Sequence, residues 1–167
     1  MAKRIAFYGI FGALAIIIAY IERLFPPPIP LPGIKLGLAN VIVIMMLYAY
    51  NTRAAFSVAV LRIVIVGLLF GNPFSIAYSL AGGLTSFVAM LIAKRSNIFG
   101  VVGVSVFGGV FHNIAQIAIA AIIVQDIRLF TYSPVMILAG IATGVLIGFT
   151  AGFTLVNLKT INTFGKK

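Results

Sequence analysis

Long runs of apolar residues follow one another along the chain, separated by short stretches that hold most of its charged and turn-forming residues. Most of the runs come close to the roughly 20 residues that a helix needs to cross a hydrocarbon core of about 30 Å. Apolar residues are consecutive rather than alternating, which does not fit the strands of a membrane β-barrel. The pattern predicts six helices, at Ile5–Ile21, Leu36–Tyr50, Ala54–Phe70, Pro73–Ala93, Val101–Val124 and Pro134–Val156.

Composition strengthens this prediction. Of the 167 residues, 62% are hydrophobic and 8% are charged, whereas a soluble domain is roughly half apolar and a quarter charged. No Gly/Ser-rich linker or long polar tract divides the chain. We therefore expect an all-α integral membrane bundle of six transmembrane helices, forming one transmembrane domain over residues 1–167.

The basic residues are distributed unequally between the two ends of the predicted helices. Six crossings place both termini on one side, and cytoplasmic loops are enriched in Lys and Arg. With cytoplasmic termini, that side holds Lys3, Arg4, Arg53, Lys94, Arg95, Lys159, Lys166 and Lys167, and the outer side holds Arg23, Lys35 and Arg128. Membrane topology thus explains the net charge of +10, and no aromatic and basic face indicates a nucleic-acid partner. Both acids, Glu22 and Asp126, are predicted at the outer surface.

One basic residue, Arg62, lies in the middle of the third predicted helix. At about 1.5 Å per residue its backbone is about 12 Å from either end. A central arginine costs about 2.5 to 3.5 kcal/mol to insert and usually faces a cavity or the bundle interior. We expect Arg62 to border a cavity and to help bind an anionic or carbonyl-rich ligand. The alternatives are an arginine that reaches the headgroups, or one paired with Glu22 and backbone carbonyls.

The fifth predicted helix carries the most polar stripe within the membrane. Ser105, Gly109, His112 and Gln116 recur at helical spacing, with Asn113 at the margin. Uncompensated polar groups in hydrocarbon cost several kcal/mol, so the stripe is expected to face the protein interior. There, His112, Asn113 and Gln116 either contact a ligand or hydrogen-bond another helix.

Lys35 precedes the second predicted helix, and Asn40 follows about one turn inside it. Both are expected at the same outer cavity as Arg62, although an interfacial anchor is the alternative for Lys35. The preceding stretch, Pro26–Gly33, is rich in proline and predicts a stiff outer connection.

Two later helices have apparent start signals. Asn72 before Pro73 and Ser133 before Pro134 each suit an N-cap followed by proline in the first helical position. The second, fourth and sixth helices would then all start outside. Their positive dipole ends would favour an anion in the outer half of the bundle.

The first predicted helix carries a strip of small residues, Gly12, Ala15 and Ala19. Such strips allow helices to approach closely in membranes. The strip is either internal packing or, if it faces lipid, a docking surface for another membrane protein.

The residue inventory argues against several kinds of enzyme. The chain has no cysteine, one histidine and only two acids, so neither a metal site nor the aspartate-rich magnesium clusters of prenyl diphosphate synthases are expected. No Gly-x-x-x-x-Gly-Lys-[Ser/Thr] phosphate loop occurs. We expect a non-catalytic protein without a cofactor, whose ATP hydrolysis, if any, belongs to other chains.

Two segments carry a resemblance to a known family: Pro32-Gly33-Ile34-Lys35-Leu36-Gly37-Leu38-Ala39-Asn40, and Gly108-Gly109-Val110-Phe111-His112-Asn113-Ile114-Ala115-Gln116. The chain resembles the heptaprenyl diphosphate synthase component I family, also called the Gx transporter family. That family is in turn similar to the S-components of energy-coupling-factor (ECF) transporters, which have six helices, cytoplasmic termini and a substrate cavity in the outer half.

The resemblance implies a subunit of the prokaryotic cell membrane that captures a small vitamin-like or anionic molecule. It would then associate with a transmembrane coupling subunit and two ATPases, and topple to release the molecule inside. S-components use an Ala-x-x-x-Ala pattern on their first helix for that association, and Ala15-Ile16-Ile17-Ile18-Ala19 matches it.

Two alternatives to transport stay open. One is a non-catalytic membrane partner of a polyprenyl (heptaprenyl) diphosphate synthase or quinone-related enzyme. The other is a purely structural assembly protein, which would bind no small molecule and would tolerate Arg62→Ala.

Overall fold

The computed structural model describes the backbone of residues 2–24 and 37–164 and the side chains of residues 8–22, 24 and 37–157. In this part of the chain the regular structure is helical, and no strand is present. The α-helices are α1 (Ala2–Leu24), α2 (Asn40–Ala49), α3 (Thr52–Phe70), α4 (Pro73–Arg95), α5 (Val101–Val124) and α6 (Ser133–Phe164), with a short 3-10 helix at Ile127–Tyr132.

The predicted all-α membrane bundle is confirmed. Among the described residues, four helical stretches are long and apolar enough to cross a membrane: Thr52–Phe70, Pro73–Arg95, Val101–Val124 and Ile127–Asn157. The last of these combines the 3-10 helix with most of α6. Two shorter apolar helices are described, at Tyr8–Glu22 within α1 and at Asn40–Ala49.

The second helix is shorter than the prediction of Leu36–Tyr50, because α2 begins only at Asn40. Its 10 residues extend about 15 Å, half the thickness of a hydrocarbon core. Every residue from Ile42 to Leu47 is buried. A helix that is apolar on all sides is typical of a protein interior, so α2 forms the centre of the bundle.

The hydrophobic core surrounds α2. Its members include Ala15 of α1, Ala55 of α3, Met90 of α4, Val104 of α5 and Ala151 of α6. Each of the five other α-helices thus contributes to one core, which packs around Ile42 to Leu47 of α2.

Short links reverse the chain between packed helices. Tyr50 and Asn51 join α2 to α3, and Gly71 and Asn72 join α3 to α4. Links of this length make sequential helices antiparallel. We call the level of the α3–α4 link the outer end, following the prediction from charge, and the first residue of α2 lies towards that end.

Glycine brings the later helices together. A Cβ atom on Gly140 of α6 would lie 2.7 Å from the carbonyl oxygen of Gly109 in α5. Further along α6, a Cβ atom on Gly144 or Gly148 would lie 2.6 Å from the Cα atom of Val106 or Val102, respectively. The α5 and α6 backbones therefore touch, an approach that larger residues would prevent.

One predicted N-cap is confirmed and the other is wrong. Asn72 caps α4, since its Oδ1 accepts from the Ser75 N–H at 2.7 Å and Pro73 takes the first helical position. Ser133 is the first residue of α6, and its hydroxyl donates to the Phe130 carbonyl at 2.6 Å. The 3-10 helix runs directly into α6, so Ser133 keeps helical angles and cannot act as a cap.

Candidate functional site

Buried polar side chains are found within the apolar bundle. In the described part of the chain these are Glu22, Asn40, Arg62, Ser79, Ser86, Ser105, His112, Asn113 and Gln116. We use the name polar cluster for Glu22, Asn40, Arg62, Ser79, His112, Asn113 and Gln116. Because polar groups away from water need compensating partners, their contacts decide what the cluster can do.

Arg62 is the central cation of the polar cluster. Its side chain is only 7% exposed, and its Nη2 donates to the Asn40 Oδ1 at 3.0 Å. It borders a small cavity with Glu22, Ser79 and His112. Arg62 thus borders a cavity, as predicted, and does not reach the headgroups. Its interaction with Glu22 fits the pairing alternative as well, and ligand binding by Arg62 stays a prediction.

Glu22 corrects the sequence-based expectation for the two acids. It was expected at the outer surface, away from the level of Arg62, but it is buried and lines the same cavity. Its Oε1 accepts from the Gly37 N–H, and its charge interacts with that of Arg62. The expectation failed because α1 continues past the predicted end at Ile21 to Leu24, which keeps Glu22 on the helix.

A signal for the burial of Glu22 was available in the sequence. Glu22 follows Ala15 by seven residues and Ala19 by three, so all three share one face of an α-helix. A strip of small residues that faces inward therefore carries Glu22 inward as well.

A glycine turn brings the start of α2 to this site. Gly37 has a φ of +75°, which only glycine adopts readily, and its carbonyl accepts from the Asn40 N–H at 2.8 Å. The same residue donates to Glu22, so the turn connects the end of α1 with Asn40 and hence with Arg62. Lys35, predicted at this cavity, lies outside the described residues.

The α5 residues take different roles. Asn113 donates through Nδ2 to the Met136 carbonyl of α6 at 2.8 Å, so its amide connects two helices. His112 lines the cavity near Arg62 and also a second, smaller one that Asn40 and Asn113 border. Gln116 is buried on the same face.

Small residues of α4 make room for the α5 side chains. A Cβ atom on Gly82 would lie 2.8 Å from the His112 Cε1 and 3.0 Å from the Gln116 Cγ. The Ser79 hydroxyl, one turn earlier, donates to the Ser75 carbonyl at 2.7 Å. His112 therefore packs directly against the backbone of α4 at Gly82, in space that a larger residue would occupy.

The cavity beside Arg62 is small, with a volume of about 50 Å³, and the second one is about 10 Å³. A water molecule needs roughly 10 to 15 Å³ on this measure, whereas drug-sized ligands occupy pockets of roughly 300 to 1,000 Å³. The cavity formed by the described residues is thus much smaller than a metabolite and would have to widen to admit one.

A larger groove of about 900 Å³ lies between α1 and the start of α3, lined by residues that include Tyr8, Arg53, Ser57 and Leu61. Arg53 and Ser57 are exposed. The groove belongs to the end opposite the α3–α4 link, and none of the polar cluster lines it. Because buried polar groups carry ligand specificity, the cavity at Arg62 is the better candidate site despite its size.

The small-residue strip of α1 faces the interior in this structure. Ala15 has no exposed surface, Gly12 is buried, and Ala19 borders the cavity beside Arg62. These positions support internal packing for Ala15 and Ala19, whereas a Cβ atom added at Gly12 would meet nothing within 4 Å. Contact of the three residues with a coupling subunit stays a prediction. The exposed face of α1 instead carries Ile10, Leu14, Ile17, Tyr20, Ile21 and Leu24.

The residues that the structure describes contain no group of three or more His, Cys, Asp or Glu side chains placed to hold a metal ion. The side chains of the polar cluster supply charges and hydrogen-bonding groups that can recognise a ligand. Arg62 donates, the Glu22 carboxylate accepts, and the His112 imidazole can do either.

Comparison with known proteins identifies both fold and family. A solved structure of the S component of a bacterial ECF transporter matches with a TM-score of 0.67, covering 99% of this chain and 99% of that chain at 15% identity. At this identity the likeness concerns the fold. No curated protein sequence matches the chain. The model of the family described as heptaprenyl diphosphate synthase component I matches residues 11–154, a range that contains the whole polar cluster. The chain therefore belongs to the heptaprenyl diphosphate synthase component I family.

Proposed function

We propose that the chain is a substrate-capture subunit, similar to an S-component, of an ECF-type importer in a prokaryotic cell membrane. The observation that carries the proposal is the polar cluster: a buried arginine, bonded to Asn40, borders a cavity inside a bundle with the fold of an ECF S component. Five helices, α1 to α5, contribute polar groups to this cluster.

The energetics of the cluster favour a function over a purely structural role. Replacing a buried ion pair with well-packed apolar residues is often neutral or stabilising by about 1 to 4 kcal/mol. Stability alone therefore gives an assembly protein little reason to keep Glu22 and Arg62 inside. Ionisable residues within membrane helices commonly mark substrate pathways, which agrees with capture of a small molecule.

The proposal divides the work of transport among several chains. Since the sequence has no phosphate loop, ATP would be hydrolysed by two ATPases and its energy passed on through a transmembrane coupling subunit. The present chain would be non-catalytic, would keep both termini in the cytoplasm, and would bind its small-molecule substrate from outside.

Coexpression tests this assembly. The protein is purified through an affinity tag from cells that also express the coupling subunit and two ATPases of the same organism. We expect all four proteins to elute together and uptake to depend on ATP. A complex that never forms, although each component is folded in the membrane, would contradict the proposal.

The family description favours one further candidate, a non-catalytic membrane partner of a polyprenyl diphosphate synthase. This candidate predicts that a soluble catalytic subunit makes more prenyl diphosphate when the membrane protein is added. An unchanged rate of synthesis with reconstituted protein would remove it.

A further inference from the structure

We propose that the groove between α1 and the start of α3 binds an anionic phospholipid of the leaflet at that end, which is the cytoplasmic leaflet by the prediction from charge. The lipid phosphate would lie at Arg53, and an acyl chain would follow α3 towards the middle of the membrane. The groove has a volume of about 900 Å³ and shares no lining residue with the cavity beside Arg62. The inference is therefore independent of small-molecule capture.

The first argument is the depth of the groove. Tyr8 lines it and packs edge to face against Tyr50, with ring centroids 5.8 Å apart. Tyrosine is enriched at the headgroup level of membranes, which places this end of the groove at the surface. Along α3 the lining continues from Thr52 to Leu61, a rise of about 14 Å. Half of a hydrocarbon core is about 15 Å, so the groove is as deep as one leaflet.

The second argument is the order of polar and apolar residues in the lining. Polar side chains occupy residues 51–53, at the start of α3, and Ser57 about one turn further. Deeper in the groove, α3 contributes Val58 and Leu61. A soluble anion would use only the polar end. A phospholipid has a polar headgroup above an apolar chain, and this order matches the whole lining.

The third argument is the charge at this end of the bundle, which follows from the whole sequence. The chain contains two acids, Glu22 and Asp126. Glu22 lines the cavity beside Arg62, and Asp126 follows α5 at the outer end. No acidic side chain is therefore placed to neutralise Arg53. Basic pockets on the cytoplasmic side of transmembrane helices bind anionic lipid headgroups.

A second cation near the same end shows a different arrangement. Lys94, in the last turn of α4, donates to the Leu47 carbonyl, and its Nζ lies 4.7 Å from the centroid of the Tyr48 ring. Lys94 thus stabilises the end of α2. Arg53 is exposed and forms no hydrogen bond or ion pair with another residue that the structure describes. Its guanidinium is therefore available to a headgroup.

Native mass spectrometry of the purified protein, titrated with phosphatidylglycerol or with phosphatidylcholine of the same acyl chains, tests the charge at the groove. The wild type should prefer phosphatidylglycerol. Arg53→Gln should bind phosphatidylglycerol roughly fivefold more weakly, the effect of one basic residue near an anionic surface, and phosphatidylcholine as before. Arg95→Gln is the matched control, because Arg95 is an exposed cation that does not line the groove. It should bind both lipids as the wild type does.

Filling the groove tests the position of the acyl chain. A Cβ atom on Gly9, which lines the groove, would meet nothing within 4 Å, and leucine favours a helix over glycine. Gly9→Leu should therefore fold and bind both lipids severalfold more weakly. Gly152→Leu is the matched control, since a Cβ atom there also meets nothing within 4 Å and α6 does not line the groove.

Circular dichroism establishes that each variant is folded, and the Arg53→Gln arm tests the inference even if Gly9→Leu does not fold. A wild type without preference for phosphatidylglycerol would overturn the inference. So would equal affinity of wild type and folded Arg53→Gln for that lipid. If Gly9→Leu binds both lipids normally but no longer copurifies with a membrane protein partner, the groove belongs to that partner and the inference is also overturned.

Discussion

Replacing Gly140 with alanine tests the backbone contact that joins α5 to α6. The added Cβ atom would lie 2.7 Å from the Gly109 carbonyl oxygen, 2.8 Å from its carbonyl carbon and 2.9 Å from the Val110 nitrogen. All three are backbone atoms and cannot rotate away. The two helices must therefore separate along their closest approach.

The expected cost follows from a comparison within the same helix. Around Gly152, also in α6, nothing lies within 4 Å of an added Cβ atom. Both substitutions gain the same helix preference of alanine over glycine, about 1 kcal/mol, so this contribution cancels in their difference. What is left is overpacking, typically about 1 to 3 kcal/mol. Gly140→Ala should thus be less stable than Gly152→Ala by that amount.

Equilibrium unfolding in mixed detergent and sodium dodecyl sulfate, followed by circular dichroism, measures this difference. The wild type should be about 1 kcal/mol less stable than Gly152→Ala and as stable as Gly140→Ala or more so. Equal free energies of unfolding for Gly140→Ala and Gly152→Ala would refute the reasoning, because they would mean that α5 and α6 do not meet at glycine.

Three further substitutions separate structural from binding roles in the polar cluster. Asn113→Ala leaves the Met136 carbonyl without its donor, so it should destabilise the protein by about 1 to 3 kcal/mol while retaining the bound molecule; loss of that molecule from a folded variant would contradict a helix-joining role. Asn40→Leu removes the acceptor that orients Arg62, and since bonds to charged groups contribute about 1.5 to 3 kcal/mol, affinity for the copurified molecule should fall at least tenfold in a dialysis assay. Gly82→Ala pushes against His112 and should lower occupancy of the site in native mass spectra, whereas full occupancy would show that His112 can move without consequence.

Most helix positions could be predicted from the sequence because apolar runs of this length are typical of membrane-spanning helices. The predicted α5, Val101–Val124, has the bounds found in the structure. The second helix was predicted too long at its start, because the apolar pattern continues through Gly37 while the backbone forms a turn there. Hydrophobicity alone does not distinguish these two conformations.

The burial of Arg62 and of the amide side chains was predictable from the sequence, but that of Glu22 was not. A mid-helix arginine and the polar stripe of α5 can be recognised because they lie far from the ends of apolar helices, and both are buried in the structure. Glu22 stood next to Arg23 at the end of a predicted helix, a sequence context typical of an interfacial pair. Its burial depends on three more residues of α1 and on the N–H of Gly37, a contact 15 residues away in sequence.

The strip on α1 shows a further limit of sequence patterns. Spacing identifies small residues that allow close contact, but it does not identify the partner. Ala15 already packs in the core around α2. A coupling subunit that docks on α1 would therefore have to contact the exposed face of α1, or α1 would have to move. Binding assays with purified subunits would distinguish these two arrangements.

Capture of a small molecule beside Arg62 is the central claim, and native mass spectrometry tests it most directly. Arg128 is exposed and lies outside the polar cluster, so Arg128→Gln serves as the control. Wild-type protein and this control, released gently from membranes, should each carry a bound compound of the same mass, and folded Arg62→Gln should have lost it. The account would be contradicted if folded Arg62→Gln kept the compound at wild-type occupancy, or if the wild type carried none.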